Sequence, residues 1–235
     1  MCGFVGYLNR NKSNDDSRLI RSMTDTLNHR GPDSSNIFIN DERDVYLGHT
    51  RLSIIDLNKT GDQPYVSNTG RYVCVYNGEI YNFKTLKNEL SNQFSDIIWN
   101  GTSDTEVLVN CLEYWGYEKT LDKIVGMFAF CLYDSKERTI LLAKDKFGEK
   151  PLYYGYNNQK FYFASELKSL IKDPNFNKEI DKQSLNIFFS LNYIPAPKSI
   201  YKNIFKLKPG HYFKLKLDEN FEINPSQQKK YWDIK

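Results

Sequence analysis

Nowhere in the 235 residues do about 18 apolar side chains follow one another, so no helical membrane span is expected. The first residues lack a basic stretch leading into an apolar run, which is the pattern of a secretory leader, and the expected location is cytoplasmic. Histidine is scarce: the three present offer no obvious relay for a catalytic triad. The four cysteines, Cys2, Cys74, Cys111 and Cys131, show neither CxxC nor any other ligand spacing. No metal site is therefore expected, and a reducing compartment suits all four thiols. An excess of either charge is also lacking: the net +3 is too small to argue for nucleic acid. The lysines that crowd the last forty or so positions alternate with apolar residues, as in YFKLKL. That alternation suits a solvated strand face better than a phosphate-binding patch. No repeat or low-complexity tract occurs.

What is present is the material of a folded core. The chain is 40% hydrophobic and 26% charged, and its aromatics include 17 Tyr and 15 Phe. The length suits one large domain or two small ones. Strands are predicted at FVGYL, SNIFI, VYLGH, RYVCVY, DIIW, MFAFCLYD, TILLAKD, LYYGY and KFYFAS, which are rich in β-branched and aromatic residues. Helices are predicted over SRLIRSMTDTLNH, over NFKTLKNELSNQF with Asn82 as N-cap, and over SDTEVLVNCLEYWG. In the last of these, Ser103 and Glu106 stand at capping-box spacing. Shorter helices are expected in ELKSLI and KQSLNIFFSL. Strands come in runs with helices grouped between them, so the expected class is α+β. Cys74, Cys111 and Cys131 sit in apolar runs and read as inert core thiols.

Cys2 differs by position. A small second residue lets the initiator methionine be trimmed, which would leave a thiol and a free α-amine on one carbon. It reads either as a small apolar residue at a strand end or as a compact nucleophile with its own base. In RYVCVYNGEIYN the Asn77-Gly78 pair is a strong turn signal. Too few residues follow before Asn82 for a hairpin's returning strand, so a loop shaped for a ligand is the competing reading. Asn77 offers a side-chain N–H and Gly78 an unobstructed backbone N–H, the two donors of an oxyanion hole. Arg51 ends a strand and suits a carboxylate clamp, or an ordinary surface ion pair. Asp104 opens a helix, where its charge meets the dipole favourably, and Glu79 adds an acid beside Asn77-Gly78. Together these groups suffice to bind an α-amino acid and attack its side-chain carbonyl. The α-amine, with a usual pKa of about 7.7–8.0, would serve as base without histidine.

The succession MCGFVGY, HRGPDS, RLSIIDL, QPY, YNGEIYN, SDTEVL, GMFAF, KDKFGEKPLYYG and FASELKSL resembles the glutaminase domain of class II glutamine amidotransferases. The nearest branch is the glutamine-hydrolysing asparagine synthetases, and the resemblance runs from Cys2 to about Tyr212. It implies a four-layer αββα N-terminal-nucleophile hydrolase fold, with two stacked antiparallel sheets flanked by helices. It further implies Cys2 as nucleophile after loss of Met1, and Asn77 and Gly78 as oxyanion hole. Arg51 would hold the glutamine α-carboxylate, Glu79 and Asp104 its α-ammonium, and the backbone of Leu52, Ser53, Ile54 and Ile55 would line the pocket. HRGPD and FGEKPLYY are assigned architectural roles.

The resemblance implies no cofactor for glutamine hydrolysis. ATP and Mg belong to a synthetase domain, whose SGGxDS-type loop does not occur here. The expected organisation is a glutaminase domain over 1–217 and a connector over 218–235. Expected partners are L-glutamine and a synthetase domain in cis or trans, with a homodimer in the full enzyme and neither nucleic acid nor membrane. Rival expectations are the glutaminase domain of another class II enzyme, such as glucosamine-6-phosphate synthase, and a non-catalytic glutamine-binding module.

Overall fold

Alternation along the strands decides the architecture. In β1 (Gly3–Asn9) Phe4 and Leu8 enter one core while Val5 and Tyr7 enter another, which is the two-residue period of a strand buried on both faces. β3 (Val45–Arg51) repeats the pattern, with Val45 and Leu47 on the first side and Tyr46 on the second. In β5 (Tyr72–Ile80) Val73 and Val75 join the core of Phe4, whereas Cys74, Tyr76 and Ile80 face a third core. The cluster holding Phe4, Val45 and Val75 is thus shared by two sheets and lies between them.

A computed structural model describes residues 1–11, 15–217 and 227–234. The remaining strands are β2 (Ser34–Ile39), β4 (Tyr65–Val66), β6 (Gly126–Asp134), β7 (Thr139–Lys144), β8 (Tyr153–Asn157), β9 (Lys160–Ala164), β10 (Ile204–Lys206), β11 (His211–Lys216) and β12 (Lys229–Lys230). They form two six-stranded sheets, ordered β10-β8-β9-β1-β3-β2 and β12-β11-β7-β6-β5-β4, with antiparallel neighbours throughout. Helices α1 (Asp16–Asp25) and α5 (Leu167–Leu170) cover the outer face of the first sheet through Ile20, Met23 and Leu170. Helices α2 (Phe83–Gln93), α3 (Asp104–Trp115) and α4 (Tyr117–Lys123) cover the second through Leu86, Leu90, Leu108 and Leu121. A sixth helix, α6 (Lys182–Leu191), leaves Phe189 exposed. The layers run helix, sheet, sheet, helix, as expected. Among the described residues no helix is long and apolar enough to cross a membrane.

Several local expectations change. Asn77-Gly78 is neither turn nor loop but the interior of β5, with Asn77 opposite Ala129 and Gly78 opposite Phe128. The returning strand that a hairpin requires exists, but it is β6, some fifty residues further on. DIIW is not a strand: Ile97 and Trp99 pack against the helical core, and the Trp99 indole donates to the Ser91 hydroxyl at 3.1 Å. The first helix stops at Asp25 rather than His29. The Thr24 and Thr26 hydroxyls donate to the Ile20 and Met23 carbonyls, both at 2.7 Å, and compete with the helical ladder. Asn82 flanks α2 without capping it; its amide instead bridges the Lys123 carbonyl and the Val125 N–H, each at 3.0 Å. Ser103 does cap α3 by accepting from the Glu106 N–H at 3.2 Å. Glu106 turns to the Asn100 and Gly101 N–H groups (2.6 and 3.0 Å) instead of closing the box. Helix α4 was not foreseen.

Of the expected connector, 218–226 and 235 lie outside the described residues. Lys229 and Lys230 pair with β11, and the Tyr231 and Trp232 N–H groups bond to the Gly210 carbonyl.

Candidate active site

The two-residue period that builds the sheets also assembles the site. Cys2 falls on the inner, Phe4 side of β1; Arg51 shares the inner side of β3 with Leu47; Asn77 and Glu79 share that of β5 with Val75. Strands from both sheets thus deliver their polar ends to the place where the sandwich opens. A pocket of about 630 Å3, mouth included, is walled there by Cys2, Arg51, Leu52, Ile54, Ile55, Asn77, Gly78, Glu79 and Asp104. Of the sequence-predicted residues only Ser53 stands outside these walls; its N–H donates to Asp33 Oδ2 at 2.7 Å.

Cys2 is held at both ends. Its Sγ accepts from the Leu52 N–H at 3.3 Å, and its carbonyl accepts from Arg30 Nε at 2.9 Å. Burial pushes the thiol pKa up, and the Leu52 N–H, the N-terminal ammonium and Arg51 only partly oppose it. A thiol so placed needs a base before it can attack. Cys74, Cys111 and Cys131 are fully buried and free, and burial drives their pKa values up as well.

Asn77 is 1% exposed, and its Nδ2 is a buried donor without a partner among the described residues. An unmet buried amide is costly, and in a pocket wall it marks the place of a ligand acceptor. At Gly78 a Cβ would stand 2.3 Å from the Met127 carbonyl oxygen and 2.7 Å from Phe128 Cα. Only glycine lets β5 approach β6 this closely. Gly78→Ala should therefore lower the thermal midpoint by several degrees and reduce turnover with it, as followed by calorimetry alongside activity. An unchanged midpoint would contradict the close approach.

Arg51 does more than the clamp role demands. Its Nη1 donates to the Asn58 carbonyl at 2.8 Å and to Asp62 Oδ1 at 2.9 Å, and its Nη2 donates to the Asp56 carbonyl. The guanidinium thus braces the 56–62 loop, and further N–H donors remain for a ligand. Asp104, 6% exposed at the start of α3, accepts from the Tyr76 hydroxyl at 2.7 Å and the Ile80 N–H at 3.0 Å. Burial raises its pKa, Glu79 adds to the effect, and these hydrogen bonds oppose it.

No histidine joins the walls. His49 bonds the Tyr76 carbonyl at 3.0 Å across the two sheets, and burial lowers its pKa to about 4, so it stays neutral. His29 sits against Glu166 at the surface, and His211 against the Pro209 carbonyl.

Three participants escaped sequence reasoning. Arg30, besides holding the Cys2 carbonyl, donates to Glu166 at 2.7 Å. Lys150 lines the pocket beside Met1. Gln63 accepts from the Tyr76 N–H at 2.6 Å and so fixes β5 next to Asn77. HRGPDS, FASEL and FGEKP were visible as motifs, but nothing in their text says that they meet at Cys2.

Two stacked antiparallel sheets between helical layers, with a cysteine at the tip of a central strand and amide donors in the same pocket, are the αββα architecture of the N-terminal-nucleophile hydrolase fold. A family model described as glutamine amidotransferase domain matches residues 1–232. The chain belongs to this family, in its class II branch. It is 39% identical over 93% of its length to asparagine synthetase [glutamine-hydrolyzing] 1 of Bacillus subtilis, covering 34% of that protein. It is 34% identical over its full length to a putative asparagine synthetase [glutamine-hydrolyzing] 2 of Methanocaldococcus jannaschii, covering 47% of it. The chain thus spans between a third and a half of these relatives. The solved structure of B. subtilis glutamine phosphoribosylpyrophosphate amidotransferase is 18% identical and superimposes over 98% of this chain and 49% of its own, with a TM-score of 0.67; that likeness concerns the fold.

Proposed function

We propose that the chain is the glutaminase unit of a glutamine-hydrolysing asparagine synthetase, converting L-glutamine to L-glutamate and ammonia through a thioester on Cys2. The observation that carries this reading is the orphaned Asn77 Nδ2 in the pocket that also holds Cys2 Sγ. Removal of Met1 frees the Cys2 α-amine, which takes the thiol proton. The thiolate adds to the γ-carboxamide carbon, and the oxyanion is met by Asn77 Nδ2 and the Gly78 N–H. The C–N bond then breaks, the amine's proton leaves with ammonia, and water hydrolyses the thioester to glutamate. Arg51 holds the α-carboxylate, while Asp104 and Glu79 hold the α-ammonium.

Ammonia is passed to a synthetase domain, in cis or trans, which amidates aspartate with ATP and Mg; the glutaminase unit itself uses no cofactor. In this reading residues 1–217 carry the glutaminase and 218–235 lead toward that domain. The full enzyme is a homodimer in the cytoplasm.

The purified chain, with its N-terminus confirmed as Cys2, should release glutamate and ammonia in equal amounts from L-glutamine. Release of neither would overturn the reading. Arg51→Ala should raise KM at least tenfold with a smaller change in kcat, since its contact exists in the ground state as well as the transition state. A kcat loss at unchanged KM would remove Arg51 from glutamine binding.

A further inference from the structure

Lys150 is 4% exposed, and among the described residues its ammonium has a single partner, the Met1 sulfur at 2.8 Å. A buried ammonium normally rests on a carboxylate. Its position is fixed by the turn that carries it. The Asp145 carboxylate accepts the N–H groups of Phe128 (3.2 Å), Phe147 (3.1 Å), Glu149 (2.9 Å) and Lys150 (3.1 Å). Gly148 completes the turn at φ +74, where a Cβ would meet Pro209 at 2.7 Å. This bracing gives the FGEKP motif a purpose beyond architecture: it delivers a cation to the nucleophile's end of the pocket.

The Met1 sulfur is five covalent bonds from the Cys2 nitrogen, so loss of Met1 removes the partner of Lys150 in the same pocket that the newly formed amine faces. The glutamine head group occupies Arg51, Asp104 and Glu79 in the reading above, which leaves Lys150 without a substrate charge to bind. We propose that Lys150 is a positioning residue for the catalytic base: its ammonium, held next to the mature N-terminus, disfavours a second positive charge there and keeps the Cys2 amine neutral and able to accept the thiol proton. The charged groups around that amine are Arg30, which holds the Cys2 carbonyl at 2.9 Å and is paired with Glu166 at 2.7 Å, and Arg51 from β3, both acting in the same sense, and Glu79 from β5 and Asp104 from α3, which act against it; Asp104 is bonded to the Tyr76 hydroxyl. Lys150 offsets the two carboxylates that glutamine recognition requires. The inference rests on the glutaminase reading.

The test is the pH profile of kcat/KM for glutamate release by the mature chain, in wild type, Lys150→Met and Lys150→Arg. Removing a neighbouring cation raises an amine's pKa, so the acidic limb of Lys150→Met should move up by roughly one pH unit. Its rate should fall about tenfold near pH 6, and the deficit should narrow toward about pH 9. Lys150→Arg should bring the limb back toward wild type. A folded Lys150→Met with the wild-type limb overturns the proposal. If that variant does not fold, reductive methylation of wild type across pH, read by mass on the N-terminal peptide, titrates the amine directly. A midpoint below the usual value of about 7.7 supports the proposal, and one at or above it overturns it. Wild type inactive on glutamine would sink the glutaminase reading alone, since the amine titration, compared between wild type and Lys150→Met, needs no turnover.

Discussion

Cys2→Ala should abolish glutamate release, with a loss of at least ~10⁴-fold, while the protein still binds glutamine. The size of the loss follows from the site's composition. No histidine or second thiol lines the pocket, because Cys74, Cys111 and Cys131 are buried in the cores. Nothing can therefore stand in for the Cys2 sulfur. Binding should survive because in the proposed reading the head group is held by Arg51, Asp104 and Glu79, none of which depends on the thiol. The variant should consequently show a thermal midpoint that rises with added glutamine. Residual turnover near the wild-type level would remove Cys2 from the mechanism. Loss of both turnover and binding would make the thiol part of the pocket's structure.

Asn77→Ala should lower kcat by ~10²–10³ with KM changed only a few-fold, the usual effect of deleting one oxyanion donor. Its stability signature should be unusual. Truncating a residue that is 1% exposed ordinarily costs a hydrogen bond, yet Asn77 Nδ2 has no partner among the described residues. Removing an unsatisfied donor offsets part of the lost packing, so the midpoint should fall by only a few degrees. A large loss of stability with a proportionate loss of activity would instead make Asn77 a structural amide. A donor held in waiting predicts a fall in rate without a comparable fall in stability.

The strands that carry the chemistry could be read from the sequence because their alternation is written in it: FVGYL, VYLGH and RYVCVY became β1, β3 and β5 with little change. The placement of Cys2 and Arg51 on the inner side of one sheet, facing Asn77 and Glu79 on the inner side of the other, follows from that alternation once the two sheets are stacked. Local signals failed where a distant partner overrode them. Asn77-Gly78 is a strong turn dipeptide, but pairing with Phe128–Ala129 across some fifty residues makes it strand. Asn82 suits a helix cap, but a bond to the Lys123 carbonyl claims it. Arg30 and Lys150 could not be assigned because their meaning lies in contacts at the N-terminus, which depend on Glu166 and on the turn around Asp145 far along the chain. Ser53 fell within a predicted pocket segment, yet its N–H turns outward to Asp33.

The account stands or falls on a covalent bond at a newly exposed N-terminus. Acid quenching of the purified chain during glutamine turnover, followed by mass analysis of the N-terminal peptide, reads both parts at once. The expected spectrum lacks Met1 and shows a fraction of the Cys2 peptide carrying one glutamyl group, which disappears once glutamine is exhausted. Glutamate release by a chain that retains Met1, or steady turnover with the glutamyl group on another residue, would contradict it.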